Sequence, residues 1–392
     1  MASTGLAYTL TACALGRIVV RISWIVSIMT FGPCKQLGWL MLLFMALPAW
    51  ADEAAAGPQQ EPAEAAAESP AKTRPPVPSW PVTSDLVGHL SYMTAHYEDT
   101  FAQIGTVQSL GYLELVKANP GVDPWLPGEG TQITLPRLHI LPDAKRQGIV
   151  INLAEYRLYY FNDGKVKVYP VGVGTDDNPS PLTDATVTMR LESPAWYPPD
   201  SVRAQYAATG DHLPRMIPPG PANPLGSHAL LLSAKGYLIH GTNKDFGVGT
   251  QVSHGCFRMY NDDIERFVYM VDKGTHVQIV NQPVKIGMNG REVWLEVHRP
   301  HEKYAEATRN ELWTRTMDMI ADFKKGRPNL ELKRRAIELA VDQADGIPRM
   351  IGEQVARVAQ DTSNQVQGDP ARADVRDSRD PEPDKQAVEL LF

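Results

Sequence analysis

Alternating apolar and polar positions indicate that the middle of this chain is rich in strands. Between residues 148 and 281, segments such as 149–153 and 157–161 carry β-branched and aromatic side chains and are separated by turn-forming residues. This pattern predicts strands. Further strands are predicted at residues 165–173, 186–191, 229–232, 237–239, 275–280 and 293–297.

One long segment interrupts the pattern. Residues 193–226 are so rich in Pro and Gly that we expect no regular structure there. Loops of this length inside a compact region are typically functional, and we expect this one to form part of a lid over a cleft. It leads back to strand 237–239, which puts His240 at a strand end. A helix is predicted after Asn261, because Asn can cap a helix and apolar residues recur behind it at helical spacing.

Helical patterns flank the strand-rich region on both sides. In a compact unit at residues 87–137, Asp99 and Thr100 can cap a first helix, and a second helical pattern stops at residues 119–121. A short strand at residues 132–135 closes this unit. After residue 300 the composition favours helices at 302–325 and 329–359.

The two ends of the chain lack the pattern of a folded core. Lys35 precedes an apolar run, and residues 49–51 have the small-x-small form of a signal-peptidase site, which predicts export. A chain that started at Met29 would still begin with a complete signal peptide. An uncleaved membrane anchor is the alternative to a cleaved signal peptide. The predicted organisation is a targeting segment (1–51), an Ala/Pro/Glu-rich linker (52–86), an N-terminal module (87–137), a strand-rich domain (147–281), its C-terminal strands (282–300), a helical extension (301–360) and a disordered tail (361–392).

The charge balance excludes one class of partner. The chain has 45 acidic and 38 basic residues and a net charge of −7. Nucleic-acid phosphates need a basic surface. No nucleic-acid partner is therefore expected.

The strongest chemical signal is a single cysteine. Cys13 and Cys34 lie in the predicted leader, so Cys256 is expected to be the one cysteine of the exported protein. A thiol without a disulfide partner in an oxidising compartment is either inert or used in chemistry. Cys256 lies sixteen residues after His240 and directly after His254-Gly255. An imidazole can accept a thiol proton, and the main-chain N–H groups of residues 255 and 256 can stabilise an oxyanion.

Two other interpretations compete with a cysteine nucleophile. A buried structural thiol is disfavoured, because the residues around Cys256 have little apolar bulk. A zinc site built from His240, His254 and Cys256 has suitable ligand types, but the paired spacing common in zinc sites is absent from the sequence. We therefore expect a nucleophile, without a metal or a cofactor.

The residues around Cys256 resemble a known family. The catalytic signature of L,D-transpeptidases (YkuD type) is similar to His240-Gly241-Thr242 followed by Ser253-His254-Gly255-Cys256-Phe257-Arg258-Met259. The resemblance extends across residues 147–298, although residues 178–181 depart from the family's usual Thr-Pro-x-Gly. Residues 119–127 resemble a segment of periplasmic members that attach Braun lipoprotein to peptidoglycan.

The resemblance also implies a fold. It implies a mainly β catalytic domain, sandwich-like, with a small α+β N-terminal module and an α-helical C-terminal extension. Residues 87–137 resemble a LysM module, which binds glycans containing N-acetylglucosamine. A small helical unit that merely packs on the enzyme is the alternative.

By position, the resemblance implies roles for the central residues. Cys256 would be the nucleophile, and His240 would accept and donate its proton. The main-chain carbonyl of Gly241 would orient the His240 ring in place of a carboxylate. Gly255 would help to supply the oxyanion donors.

Three flanking residues have less specific roles. Ser253 would hold the loop through hydrogen bonds, together with Thr242. His254 either supports the thiolate or fixes the loop. Arg258 either pairs with a substrate carboxylate or forms a salt bridge inside the domain.

The implied function is a periplasmic transpeptidase. Its nucleophile would form a thioester with a peptidoglycan stem tetrapeptide at meso-diaminopimelate, release D-Ala, and pass the acyl group to an amine. The acceptor would be another diaminopimelate or a lysine of an outer-membrane lipoprotein. Alternatives are a hydrolase that uses water, a non-catalytic peptidoglycan-binding protein and a general cysteine protease.

Overall fold

The computed structural model describes residues 74–299 and 305–355, and the side chains of the latter range from residue 309. The predicted targeting segment, most of the predicted linker and the predicted tail lie outside the described residues. No helix within these two ranges is both long enough and apolar enough to cross a membrane.

The helices are α1 (Phe101–Gln108), α2 (Tyr112–Ala118), α3 (Asp200–Ala208), α4 (Asn261–Phe267), α5 (Ala305–Lys324) and α6 (Arg334–Gln343). The strands are β1 (Ser79–Pro81), β2 (Leu86–Thr94), β3 (Gln132–Ile140), β4 (Gly148–Asn152), β5 (Arg157–Asn162), β6 (Lys165–Pro170), β7 (Val173–Gly174), β8 (Asp184–Glu192), β9 (His228–Leu232), β10 (Leu238–His240), β11 (Gln251–Ser253), β12 (Phe257–Arg258), β13 (His276–Val280), β14 (Val284–Asn289), β15 (Glu292–Val297), β16 (Leu330–Leu332) and β17 (Arg349–Gln354).

The centre of the described chain is a large mixed sheet. Its nine strands lie in the order β1-β6-β5-β4-β13-β8-β9-β10-β12. The pairs β4–β13 and β10–β12 are parallel. Side chains of one face, among them Ile151, Leu158 and Ile239, form the main core with Phe267 of α4. The strands predicted between residues 148 and 281 are confirmed, but the fold as a whole is mixed α+β rather than a β domain with helical additions.

A short parallel ribbon stands beside this sheet. It pairs β7 with β11, with Gln251 opposite Val173 and Ser253 opposite Gly174. Because β11 ends three residues before Cys256, this ribbon carries the segment that leads to the thiol.

The N-terminal module has the order strand, helix, helix, strand. Helix α1 begins after Thr100, as predicted, and a capping box joins Thr100 to Gln103. Strand β2 was not predicted, and β3 continues past Pro136 to Ile140. Among the described strands, β2 and β3 pair with each other and with no third strand, so each has one open edge. An open edge tolerates a residue without an N–H group, such as Pro136 in β3.

The described part of the predicted linker is docked rather than free. Strand β1 pairs with β6 at the edge of the large sheet, and Val77 is buried in the core. Before them, Arg74 donates hydrogen bonds to Ser109 (2.7 Å) and to Asp263 (2.8 Å). A linker ending at residue 86 is therefore wrong for residues 74–86.

The expectation of no regular structure at residues 193–226 is also wrong, because this segment contains α3. Pro199 immediately precedes the helix, where the fixed φ of proline is compatible with a helix start. Five of its nine residues are Ala, Arg or Gln, which favour helices. The prolines of this segment delimit the helix rather than exclude it.

The C-terminal region is not simply helical. A separate four-stranded sheet, in the order β14-β15-β17-β16, lies here and is covered by α5 and α6. The predicted helix at residues 329–359 is therefore wrong in most of its length, since α6 is flanked by two strands. Residues 282–297 belong to this second sheet and not to the large one. Short strands whose partners lie far along the chain leave little periodic signal.

A buried cluster of ionisable side chains joins the N-terminal module, the large sheet and the C-terminal sheet. Its members are Glu114, Glu155, Arg157, Lys285, Glu296 and His298. Arg157 contacts Glu114 of α2 (2.6 Å), Glu155 (2.7 Å) and Glu296 of β15 (2.8 Å). Lys285 of β14 lies 2.8 Å from Glu155 and 3.1 Å from Glu296. Each buried charge thus faces an opposite one, as burial of ions requires.

Candidate active site

His240 is the last residue of β10, and its ring is buried. Its Nδ1 lies 2.6 Å from the carbonyl oxygen of Gly241. Because a carbonyl oxygen only accepts, Nδ1 carries the hydrogen and Nε2 carries the free lone pair. The histidine is therefore held in the tautomer that can take up a proton at Nε2.

Asn261 fixes the segment that follows His240. Its side chain donates to the carbonyl oxygen of Thr242 (2.7 Å) and accepts from the N–H groups of Thr242 and Ser227 (both 3.2 Å). It was expected to cap a helix, but it is the first residue of α4, and Tyr260 takes the cap position. The side chain instead braces the turn whose carbonyl orients His240.

Cys256 lies between a glycine and the short strand β12. Its side chain is half-buried, with Sγ 3.6 Å from the carbonyl oxygen of Gly236. Gly255 has a φ of 104°, in the region that favours glycine. A Cβ atom on Gly255 would lie 2.9 Å from the ring of Tyr237. Both the backbone and the neighbouring ring therefore require glycine before the cysteine.

The pairing of β10 with β12 brings His240 and Arg258 together. Ile239 lies opposite Phe257 and His240 opposite Arg258. Ile239 and Phe257 are fully buried in the core on one face. Since side chains alternate along a strand, His240 and Arg258 project from the other face. Cys256 precedes Arg258 by two residues, just before β12 begins.

The pKa values of His240 and Cys256 favour neutral groups before reaction. Burial, reinforced by the Arg258 charge and opposed by the Gly241 carbonyl, lowers the pKa of His240 to about 4. Burial raises the pKa of the Cys256 thiol, although the Leu238 main chain and Arg258 oppose this shift. The resting site therefore holds a thiol and a neutral imidazole rather than an ion pair.

Ser253 and Ser180 brace the loop before the cysteine. Ser253 Oγ donates to the carbonyl oxygen of Cys256 (2.5 Å) and accepts from the N–H of Gly255 (3.1 Å). Ser180 Oγ donates to the carbonyl oxygen of Gly255 (2.8 Å). The N–H of Gly255 is thus bonded within the loop. Sequence reasoning missed Ser180, whose only signal was the departure of residues 178–181 from the family pattern.

His254 contacts α3. It is exposed, and its Nε2 lies 2.8 Å from the amide oxygen Oε1 of Gln205 in α3. This contact joins the cysteine loop to the segment 193–226. Gln205 carries no sequence signal of its own, because the contact depends on a helix that was not predicted.

Arg258 is fixed through its backbone. Its N–H and carbonyl exchange hydrogen bonds with Gly172 (2.9 and 2.8 Å). Among the described residues its guanidinium has no acidic partner within salt-bridge distance, and Nε is buried without a hydrogen bond. The alternative of a salt bridge inside the domain has no support in the described part of the chain.

One group of side chains has the proximity of metal ligands, but it lies outside this site. Glu155, Glu296 and His298 each offer a ligand atom within 4.8 Å of the others. Arg157 and Lys285 already neutralise both carboxylates at 2.7–3.1 Å. Both carboxylates therefore already contact protein cations, which weakens their attraction for a metal ion.

Comparison with known proteins gives one family match and several relatives. The model of the L,D-transpeptidase catalytic domain matches residues 146–286. The probable L,D-transpeptidase YcfS of Escherichia coli (strain K12) is 43% identical over 57% of this chain and 73% of its own length. From the same strain, the probable L,D-transpeptidase ErfK/SrfK is 41% identical over 56% of this chain and 73% of its own. The probable L,D-transpeptidase YbiS is 36% identical over 66% and 82%.

Proposed function

The chain belongs to the L,D-transpeptidase family, and from this premise we propose that it is a cysteine acyltransferase acting on peptidoglycan stem peptides. The observation that supports the proposal is the pairing of β10 with β12, in which His240 lies opposite Arg258, two residues after Cys256. A nucleophile, a base and a cation that can hold an anionic substrate then share one surface.

The first half-reaction forms a thioester. Cys256 Sγ gives its proton to Nε2 of His240 and attacks the carbonyl carbon at the L-centre of meso-diaminopimelate in a tetrapeptide. The bond from that carbon to the nitrogen of the terminal D-Ala breaks, and His240 passes the proton to the leaving amine. Both groups are neutral at rest, so the proton moves as the sulfur attacks.

The oxyanion formed in this step needs a donor near the thiol. The Gly255 N–H is bonded to Ser253, which leaves the N–H of Cys256 as the donor of this loop. Ser253 holds the carbonyl of the same residue, which limits rotation of its peptide groups. A single well-placed donor of this kind is worth about 3 kcal/mol of transition-state stabilisation.

Arg258 and His254 have different roles in this mechanism. The Arg258 guanidinium, without an acidic partner in the described chain, binds a carboxylate of the stem peptide through its planar fork. His254 fixes the loop against α3 through Gln205 instead of acting on the thiol.

In the second half-reaction an amine attacks the thioester. The new C–N bond forms and the C–S bond breaks; of the two protons that the incoming ammonium loses, one returns to Sγ through His240 and the other leaves to solvent. The acceptor is a lysine of an outer-membrane lipoprotein or a second diaminopimelate, and the resemblance of residues 119–127 favours the lipoprotein. Water in place of the amine would make the same site a hydrolase.

The N-terminal module is assigned a supporting role in glycan binding. Its strand-helix-helix-strand order and its exposed Tyr97 and Trp125 suit contact with sugar rings, as in LysM modules. The turn between its helices also docks on the rest of the chain, since Tyr260 donates to the Leu110 carbonyl (2.9 Å). The substrate and the predicted leader place the protein in the periplasm.

Mass spectrometry of the purified protein tests this function. With a tetrapeptide muropeptide or a carbapenem, we expect a covalent adduct that Cys256→Ala abolishes and His240→Ala slows strongly. Absence of any adduct on intact Cys256 would favour a non-catalytic wall-binding protein. Turnover of ordinary L,L peptides would favour a general cysteine protease.

Muropeptide analysis identifies the linkage that is made. Cells with and without the protein should differ in one class of cross-link or in lipoprotein-bearing muropeptides. An increase of such links in the presence of the protein supports transfer, and a decrease supports hydrolysis.

A further inference from the structure

Arg74 is buried, although it lies in a segment whose composition predicts a linker. Its side chain is 4% exposed. Nη2 donates hydrogen bonds to Ser109 Oγ (2.7 Å) and to Asp263 Oδ2 (2.8 Å). The guanidinium carbon lies 4.9 Å from the centre of the Tyr260 ring. One side chain at the start of the described chain thus joins the N-terminal module to the beginning of α4.

The two contacts of Arg74 at α4 flank a residue that braces the turn after His240. Tyr260 precedes the helix and Asp263 lies in its first turn, so Asn261 stands between them. The Asn261 side chain makes three hydrogen bonds of 2.7–3.2 Å, two of them with the main chain of Thr242. Arg74 therefore contacts both neighbours of the residue that holds this turn.

The packing of α4 against the same turn leaves little space for movement. A Cβ atom on Gly241 would collide with Asn261 Oδ1 and would lie 3.2 Å from Cγ2 of Ile264. The carbonyl oxygen of Gly241 in turn lies 2.6 Å from Nδ1 of His240. A shift of the first turn of α4 would therefore displace Gly241, and with it the acceptor that fixes the His240 tautomer.

Arg74 supplies the positive charge that stabilises this helix start. Among the described residues, the Asp263 carboxylate has no other basic side chain within salt-bridge distance. Its second oxygen accepts a hydrogen bond from Ser109 (3.1 Å). Without Arg74, a buried carboxylate would retain a hydroxyl as its partner, and such a charge is costly to bury. We expect the first turn of α4 to shift so that this carboxylate reaches water.

We propose that Arg74 is a positioning residue of the active site. Through Tyr260 and Asp263 it fixes the first turn of α4, and this turn fixes the Gly241 carbonyl that orients His240. Arg74 acts through these residues and not on the substrate. The proposal rests on the proposed function, and it makes the segment between the predicted leader and β2 a functional part of the enzyme.

Acylation of the purified protein by a carbapenem tests this role. In Arg74→Met we expect the limiting rate to fall about tenfold, because a misplaced base slows the chemical step. The carbapenem concentration at half the limiting rate should not change, since no binding contact is removed. Arg74→Lys keeps the charge but lacks the planar group that stacks on Tyr260, and it should recover part of the rate. Rates are expressed per acylated molecule, counted by mass spectrometry, so that an unfolded fraction of a variant does not enter the comparison.

Lys167→Met is the matched control. Lys167 Nζ donates to the Val77 carbonyl (2.8 Å) and so anchors the same segment to β6 rather than to α4. It should leave the limiting rate unchanged. An equal loss of rate in Lys167→Met and Arg74→Met would assign the effect to loosening of the whole segment and overturn the proposal.

Proton NMR of the His240 ring gives a readout that a purely stabilising role would not change. The Nδ1 proton bonded to the Gly241 carbonyl should give a downfield resonance that His240→Gln abolishes. In Arg74→Met we expect this resonance to move upfield and its proton to exchange faster with water. In Lys167→Met both should stay as they are in the native protein.

The outcomes separate this proposal from the proposed function. If the limiting rate and the His240 resonance are the same in Arg74→Met and in the native protein, Arg74 does not position the histidine, whatever its effect on stability. If the native protein is not acylated, the proposed function fails, and the resonance alone then decides whether Arg74 orients His240. If Arg74→Met yields no folded protein, the same measurements are made on Arg74→Lys, and native values in that variant overturn the proposal.

Discussion

Arg258 lies directly opposite His240 across the parallel strands β10 and β12. A fixed cation is therefore a neighbour of the histidine that must accept a proton. After burial, it is the second cause of the low pKa of His240, about 4. It also opposes the rise that burial causes in the pKa of the Cys256 thiol.

Removal of this cation should move the pH profile of acylation. In Arg258→Met the pKa values of His240 and of the thiol should both rise, because the charge lowers both. The acid limb of the acylation rate, set by protonation of His240, should then move to higher pH. Stopped-flow acylation by a carbapenem between pH 4 and 9 measures this, with Arg258→Lys as the control that keeps the charge. A profile identical to that of the native protein would contradict the electrostatic coupling.

Gly255→Ala should lower the free energy of unfolding by more than the backbone strain at residue 255 alone explains. Gly255 and Gly274 both have positive φ (104° and 90°), but only Gly255 has a neighbour, Tyr237, in the space of a Cβ. We expect Gly274→Ala to cost about 1 kcal/mol in free energy of unfolding, and Gly255→Ala roughly 2–4 kcal/mol. Chemical denaturation of both variants measures the difference. Equal losses would show that the Tyr237 ring moves aside without cost.

Asp263 should give the folded protein a pH-dependent stability. Burial raises its pKa from 3.8 to about 6, although Arg74 and Ser109 oppose this rise. The folded state then holds the proton more tightly than the unfolded state. The free energy of unfolding therefore falls as pH rises from about 4 to 6, by on the order of 3 kcal/mol.

Comparison with two variants isolates this contribution. In Asp263→Asn the decline between pH 4 and 6 should be absent from urea-unfolding curves. Asp262→Asn removes an exposed carboxylate from the same helix and should preserve the decline. A decline of the same size in Asp263→Asn would assign the pH dependence to other groups.

The contact between Gln205 and His254 should matter for large substrates. An exposed hydrogen bond of this kind contributes about 0.5–1.5 kcal/mol, so Gln205→Leu should raise the KM of a muropeptide donor roughly two- to tenfold. Acylation by a small carbapenem should change less, because it needs less contact with α3. Gln205→Glu retains the acceptor oxygen for Nε2 and should restore the KM. If Gln205→Glu and Gln205→Leu raise the KM equally, the hydrogen bond does not hold α3 in place.

Much of the core of the site follows from local sequence. The strand before His240, the glycine before Cys256 and the helix starting near Asn261 each depend on patterns within a few residues. Thr100 at the start of α1 is another local signal, and the capping box confirms it. Such features depend on backbone preferences that act within one turn or one strand.

The parts that sequence could not predict depend on contacts between distant segments. Ser180 reaches Gly255 across 75 positions, and Arg74 reaches Asp263 across 189. Strand β17 finds its partner β15 only after two helices have intervened. A serine, an arginine or a short strand carries no mark of such a partner, so these assignments need coordinates.

The buried cluster of Glu155, Arg157, Lys285 and Glu296 restricts how this protein can be rebuilt by recombination. A gene fragment that stops after β13 would encode Glu155 without Lys285, one of the two cations that contact it, and Arg157 without Glu296. Grafting the catalytic region onto a foreign partner would remove the same contacts. The transpeptidase region and the C-terminal sheet should therefore be inherited together. Recombination between relatives should exchange both regions or neither.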